Sequence, residues 1–379
     1  MARKQQLSKA EYRAASYQML RVIGAYLNGN AESTNEQDIN AEILYYVSKK
    51  NGLCALTAAA LAKCGIHDEA FTVALAKSQR KSLLFDRELQ LLSEAFDAEK
   101  IRFLPLKGMV LKSLYPGAGT REMSDIDILI DEDNAEAVRK SMTDSGYDTI
   151  EFCESNQDVY HKPPFFGVEI HRALFDKRLN ARQARYYAQK DLIESANAEN
   201  GTEDIYIYLI AHAYKHYSYY GTGLRTLVDI NLYLKKYQRK MDFQYIDIEA
   251  QKLGISEFEQ MIRPLSEKLF SVDAMSEREK EELEVFVFAG LYGSIDHYVK
   301  QRFIRKTDGH KHKRLVYIAK RLQVTDQQIT DSRFCSKHPS LAGLMVVARP
   351  VKALATKPGI VVKEIKEILQ YKKSKNDKN

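Results

Sequence analysis

The chain has 379 residues, with 57 Lys and Arg against 51 Asp and Glu, for a formal net charge of +6. Hydrophobic residues make up 45% and charged residues 28%, which excludes a wholly disordered or collagen-like chain and leaves sequence for two or three domains. So mild a positive balance is far from the basic footprint of a dedicated nucleic-acid binder.

Eight Pro and 18 Gly are few for this length, so helix is expected to dominate. Met1 to Gln6 leads into a mixed polar helix rather than a secretory leader. No window approaches the roughly 18 apolar residues of a membrane span, so the expected compartment is the cytosol and no membrane partner is expected. Cys54, Cys64, Cys153 and Cys335 are scattered without CxxC spacing and read as reduced structural thiols.

Apolar residues recur at helical spacing over 8–28, 36–48, 53–63 and the long stretch 68–100, which predicts a helical N-terminal region over residues 1–100. The texture changes at Ile101. A short apolar run with a breaker covers 101–106, Lys107 and Gly108 follow, and a helix is expected over 109–115 before a Pro-Gly-Ala-Gly turn. Residues 125–130, Asp-Ile-Asp-Ile-Leu-Ile, alternate as a strand with both aspartates on one face and the isoleucines on the other. A helix over 134–145 and strands over 147–153 and 168–171 complete an α+β block spanning 101–178. From 179 to 379 helical texture returns, with helices predicted over 203–219, 223–237, 242–253, 257–270 and 278–291, a basic loop at 309–313 and a terminal lysine run.

Chemistry concentrates in the central block. Asp125 and Asp127, two apart on one strand, project about 6–7 Å apart on one face, close enough to share one or two divalent cations. Gathering carboxylates is costly unless cations offset their repulsion. Glu169 on a later strand completes an oxygen-only set suited to Mg²⁺ or Mn²⁺. Upstream, Gly108 opens a helix whose first N–H groups are a phosphate site, with Lys107 beside it to meet a β- or γ-phosphate. Together these parts describe metal-assisted attack on the α-phosphate of an NTP, with pyrophosphate leaving.

The run LKGMVLKSLYPGAGTREMSDIDILI, residues 106–130, resembles the uncharacterised nucleotidyltransferase family of the DNA polymerase β-like nucleotidyltransferase superfamily. The resemblance extends to Gly167 through His171 and to His212, His216, Arg225 and Asp229. It implies an α+β fold: a small mixed nucleotidyltransferase-type sheet flanked by helices, with helical regions on either side of it in sequence. The turn glycine falls on Gly108, the metal-binding and catalytic carboxylates on Asp125, Asp127 and Glu169. Many superfamily members place Ser after that glycine; this chain has Met109, and Lys107 is the substitute for gripping phosphate.

Each remaining residue has a second reading. Arg121 and Ser124 reach phosphate oxygens or order the loop before the strand. His171 orients a carboxylate or the acceptor, or is a satisfied structural histidine. His212 and His216, four apart, lack the glutamate and third ligand of a zinc site, so they line the cleft with Arg225 and Asp229 or pair structurally. Asp229 lies four residues after Arg225, a spacing that favours an ion pair on one helix face. Tyr214, Tyr217, Tyr219 and Tyr220 read as helix-packing rings before base-stacking ones.

The leading expectation is therefore Mg²⁺-dependent transfer of a nucleoside monophosphate from an NTP to an unidentified hydroxyl acceptor. An RNA acceptor is not favoured; it would enlist the basic residues of 300–320 and the lysine tail. The alternative is a non-catalytic nucleotide-sensing or partner-binding module on the same fold, and a purely structural helical scaffold leaves the carboxylates unexplained.

Overall fold

A computed structural model describes residues 7–30, 39–291, 293–295, 297–299, 303, 316–319, 345–356 and 358–370. Two compact units emerge, one of residues 1–215 with 222–291 and one of 216–221 with 292–379.

The first unit begins with four helices. Helix α1 (Lys9–Leu27) opens on a reciprocal Ser8–Glu11 capping box, and α2 (Ala41–Asn51) ends at the left-handed Gly52. Helix α3 (Cys54–Lys63) follows, and Glu122 accepts from the Ala55 N–H at its start, 2.8 Å. Helix α4 (Glu69–Ala98) carries the long apolar pattern, capped by Asp68. Then come strand β1 (Phe103–Pro105), a single helical turn α5 (Gly108–Leu111), β2 (Ile126–Ile130), α6 (Ala135–Asp144), β3 (Asp148–Glu151), β4 (Gln157–Lys162) and β5 (Phe166–His171). The rest is helical: α7 (Ala181–Tyr187), α8 (Leu192–Ser195), α9 (Gly201–Tyr217), α10 (Leu224–Tyr237), α11 (Phe243–Leu253), α12 (Ser256–Glu267) and α13 (Glu277–Ala289).

The five strands form one mixed sheet in the order β1-β2-β5-β4-β3. β2 and β5 run parallel, with Asp127 opposite Glu169; the other pairings are antiparallel. Alternation sorts their side chains. Ile126, Ile128, Ile130, Val168 and Ile170 face Phe85, Leu92 and Phe96 of α4 and Val138 and Met142 of α6 in one buried core. Each such side chain removed from water contributes about 1.5–3 kcal/mol, which fixes the register and leaves Asp127, Glu169 and His171 on the opposite face. The fold is α+β, as the sequence implied.

Two elements differ from expectation. β4 was missed: Asp158 sits on its inward face, fully buried, where apolar periodicity demands a hydrophobe. Its charge is matched by Arg172 Nε at 3.1 Å and the Cys153 N–H at 2.8 Å, partners remote from the strand's own pattern. The helix expected over 109–115 is only α5 followed by a 3-10 turn at Lys112–Leu114, broken by the chain's need to turn toward Pro116. So short a helix sums few peptide dipoles.

The Pro-Gly-Ala-Gly turn packs on α4. Gly119 has φ +73°, its carbonyl accepts from Ser78 Oγ at 2.7 Å, and an added Cβ would lie 2.4 Å from Gln79 Cα. Gly119→Ala is therefore expected to destabilise the protein by about 2 kcal/mol or more, since both backbone conformation and space oppose it. A urea midpoint equal to that of the unaltered chain would contradict this.

In the second unit, Tyr220 stacks on Tyr298 with centroids 4.7 Å apart, and buried Tyr317 donates to Glu364 at 2.7 Å. Helices cover Met345–Thr356 and Pro358–Gln370. Among the described residues no helix is long and apolar enough to cross a membrane. The basic loop at 309–313, the terminal lysine run and all the Lys and Arg of 300–320 lie outside the described residues.

Candidate functional site

β2 and β5 set the site. Because they are parallel neighbours in register, residues separated by about forty positions in sequence stand side by side. Asp127 Oδ1 accepts from Lys107 Nζ at 2.6 Å and lies 2.9 Å from His171 Nε2; His171 Nε2 is 3.8 Å from Glu169 Oε2. Ligand atoms of Asp127, Glu169 and His171 all fall within 4.8 Å of one another, the one such acidic or histidine cluster among the described residues. Asp125 stands just before β2, outside that tight trio, and accepts from Ser124 Oγ at 2.9 Å. One register step before the Ile126–Val168 pair, Gly167 lies beside Asp125, and an added Cβ there would meet nothing within 4 Å. Space is open on that side of the carboxylates.

Lys107 reaches Asp127 from an unusual backbone. Its φ of +44° and ψ of −110° lie outside the regions favoured by L residues. Such strain is held only when surrounding contacts demand it, and here the Leu106 N–H bond to Asp127 O anchors the preceding residue at 2.9 Å. Gly108 serves packing: a Cβ there would lie 2.8 Å from Arg121 Nη1.

Electrostatics divide the carboxyls. Burial works against a charge on Asp127, but the Lys107 ammonium and the His171 hydrogen bond overcome it and hold the carboxyl well below its ordinary range. Glu169 is pushed up to about 7 by burial and then by the charge of Asp127. Burial and Asp127 also raise Asp125. Burial lowers the pKa of His171 and so favours its neutral form, although the Asp127 hydrogen bond works the other way. Cations face the site from other elements: Lys81 of α4 donates to Ser124 O at 3.3 Å and feels Asp125, Lys215 of α9 feels Glu169 and Asp127, and Arg225 of α10 acts on Asp125. Burial, and then the charge of Asp127, raises Glu169 despite these cations, and the acidic donors are oxygens. That set fits a hard divalent cation.

The metal-free protein thus holds a proton on Glu169 at pH 6. Since the folded pKa lies above the ordinary 4.5, the stability tied to this proton is present below pH 4.5 and is lost as pH rises through about 7. A divalent ion held there would have to expel the proton, so its apparent affinity would rise up to tenfold per pH unit below pH 7 and level off above it. Calorimetry in two buffers of different ionisation enthalpy measures the proton released; none at pH 6 would contradict the assignment.

The other residues fall into a second cluster. Asp229 does not pair with Arg225. It takes Arg121 in a buried bidentate bond, 2.8 Å to each oxygen, and accepts from Tyr115 Oη at 2.7 Å. Two parallel bonds from a planar guanidinium outcompete a helical neighbour four residues away. Arg225 instead donates to Glu122 O at 3.1 Å. Two of Arg121's donors are thereby committed to protein. His212 contacts the Tyr208 ring, centroids 6.1 Å apart, and His216 is exposed in the second unit; the cluster found among the described residues is Asp127, Glu169 and His171. Tyr214 packs on Phe258, and Tyr217 on His297. Sequence reasoning missed Lys81 and did not place Lys215 at the site. Lys215 carries a legible signal: it lies seven residues after Tyr208, on the α9 face whose Tyr208 phenol also feels Asp127 and Glu169.

The family model described as uncharacterised nucleotidyltransferase matches residues 37–271, well over half the chain. The chain belongs to that family. Every candidate residue from Lys107 to Asp229 falls inside the nucleotidyltransferase-family region, which includes the whole sheet. No curated protein and no solved structure matches the chain.

Proposed function

We propose that this nucleotidyltransferase-family protein moves a nucleoside monophosphate from an NTP to a hydroxyl-bearing acceptor. The observation that carries the reading is the pairing of Asp127 with Glu169 across β2 and β5, beside Asp125 and the Lys107 turn. The acceptor oxygen attacks the α-phosphorus, the bond from that phosphorus to the oxygen bridging to the β-phosphate breaks, pyrophosphate leaves, and the acceptor proton passes to a Glu169 oxygen. Asp125, Asp127 and Glu169 would hold Mg²⁺ or Mn²⁺, which when bound neutralises phosphate charge and makes the attacking hydroxyl more acidic. Lys107, Lys215 and Arg225 supply positive charge for the triphosphate, and the open space at Gly167 admits substrate beside Asp125.

Incubation with each α-³²P-labelled NTP, Mg²⁺ or Mn²⁺ and a cell extract tests this, against Asp125→Ala with Asp127→Ala. Label transfer by the native chain that the double variant lacks is the expected result. Transfer persisting in the variant rejects the assignment, and nucleotide binding without any transfer favours the sensing module.

A further inference from the structure

His171 is the most buried side chain of the site, 2% exposed, and the reaction above gives it no part. Its Nε2 lies 2.9 Å from Asp127 Oδ1, and its Nδ1 is buried without a hydrogen-bond partner. A neutral imidazole has one N–H and one lone pair, and a carboxylate offers lone pairs only. The N–H therefore faces Asp127 from Nε2, and the ring's lone pair is confined to the enclosed Nδ1. Nε2 in that tautomer has nothing to give a cation, although it stands among the donors of the trio. Lys107 Nζ reaches the same Oδ1 at 2.6 Å, so two donors converge on one oxygen of Asp127.

We infer that His171 is a positioning residue: it donates from Nε2 to Asp127 Oδ1, fixes the carboxylate in the orientation in which it would hold a divalent cation, and is itself no ligand. The inference rests on the metal-dependent reading of the site. Hydrogen bonds of this kind to ligating groups typically govern metal affinity by 10–100-fold.

Mn²⁺ binding to the full chain, followed by electron paramagnetic resonance, tests it. The native complex should show no histidine ¹⁴N coupling to Mn²⁺. His171→Leu should weaken Mn²⁺ binding by about 10–100-fold, whereas His171→Gln, whose amide N–H reaches the same place, should stay within about threefold of native. Histidine ¹⁴N coupling in the native complex makes His171 a ligand and overturns the inference without any variant. Native-like binding by His171→Leu overturns it too, as does a folded His171→Gln as weak as His171→Leu, with circular dichroism reporting folding. Asp127→Asn separates the two claims: if the native chain binds no Mn²⁺, or if Asp127→Asn binds it normally, the metal reading falls and takes this inference with it.

Discussion

Asp127→Asn is expected to lower nucleotidyl transfer by about 10³-fold or more, in kcat and not in KM for the NTP. Asp127 is the acidic residue on which the site's contacts converge, with Lys107 at 2.6 Å and His171 at 2.9 Å on one oxygen. Its carboxyl is held well below the ordinary range, so it is ionised at neutral pH. The stability this contributes is present above the unfolded pKa of about 3.9 and is lost only as pH falls toward the depressed folded value. An amide keeps the shape and removes the charge. Glu169 then loses its nearest repelling neighbour and its pKa should fall, while Lys107 loses its counter-charge. Single-turnover transfer of labelled nucleotide reads the rate; an Asp127→Asn rate within tenfold of native would sink the proposed role.

Arg121→Ala is expected to cost about 3–5 kcal/mol of stability, because it strands the Asp229 carboxylate inside the protein beside Tyr115. The pair is bidentate and almost fully enclosed, so solvent does little to screen it. Arg121→Lys keeps the charge but loses the planar fork, and should fall between the two. Tyr115→Phe removes one hydrogen bond to a charged acceptor and should cost about 1.5 kcal/mol. Urea midpoints at constant slope measure all three. The series also separates the two roles read for Arg121 from sequence. A destabilised Arg121→Lys with native KM for NTP marks a residue that holds the fold together; native stability with a raised KM marks a phosphate contact.

Much of this site was legible before the structure. Period-2 alternation in Asp125–Ile130 and Val168–His171 placed Asp127 and Glu169 on one face of their strands, because a strand with one face in a core must alternate. The apolar pattern over 68–100 closely anticipated α4 at Glu69–Ala98. Where long-range partners decide, the reading failed. Buried Asp158 hid β4, since its compensation by Arg172 and the Cys153 N–H lies outside the strand. Local spacing favoured Arg225 for Asp229, while the partner was Arg121, 108 positions away.

The residue types and their two periodicities determined by themselves the α+β class, the faces of the two central strands and the carboxylates proposed for the site. These follow from near-neighbour geometry, which repeats identically in any chain. Tertiary structure alone decided that β5 would run parallel beside β2, that Lys107 would bend back onto Asp127, and that His171 would be sealed with one nitrogen against it. Pair energies at a few ångströms depend on distance and burial, and no spacing along the sequence carries either quantity.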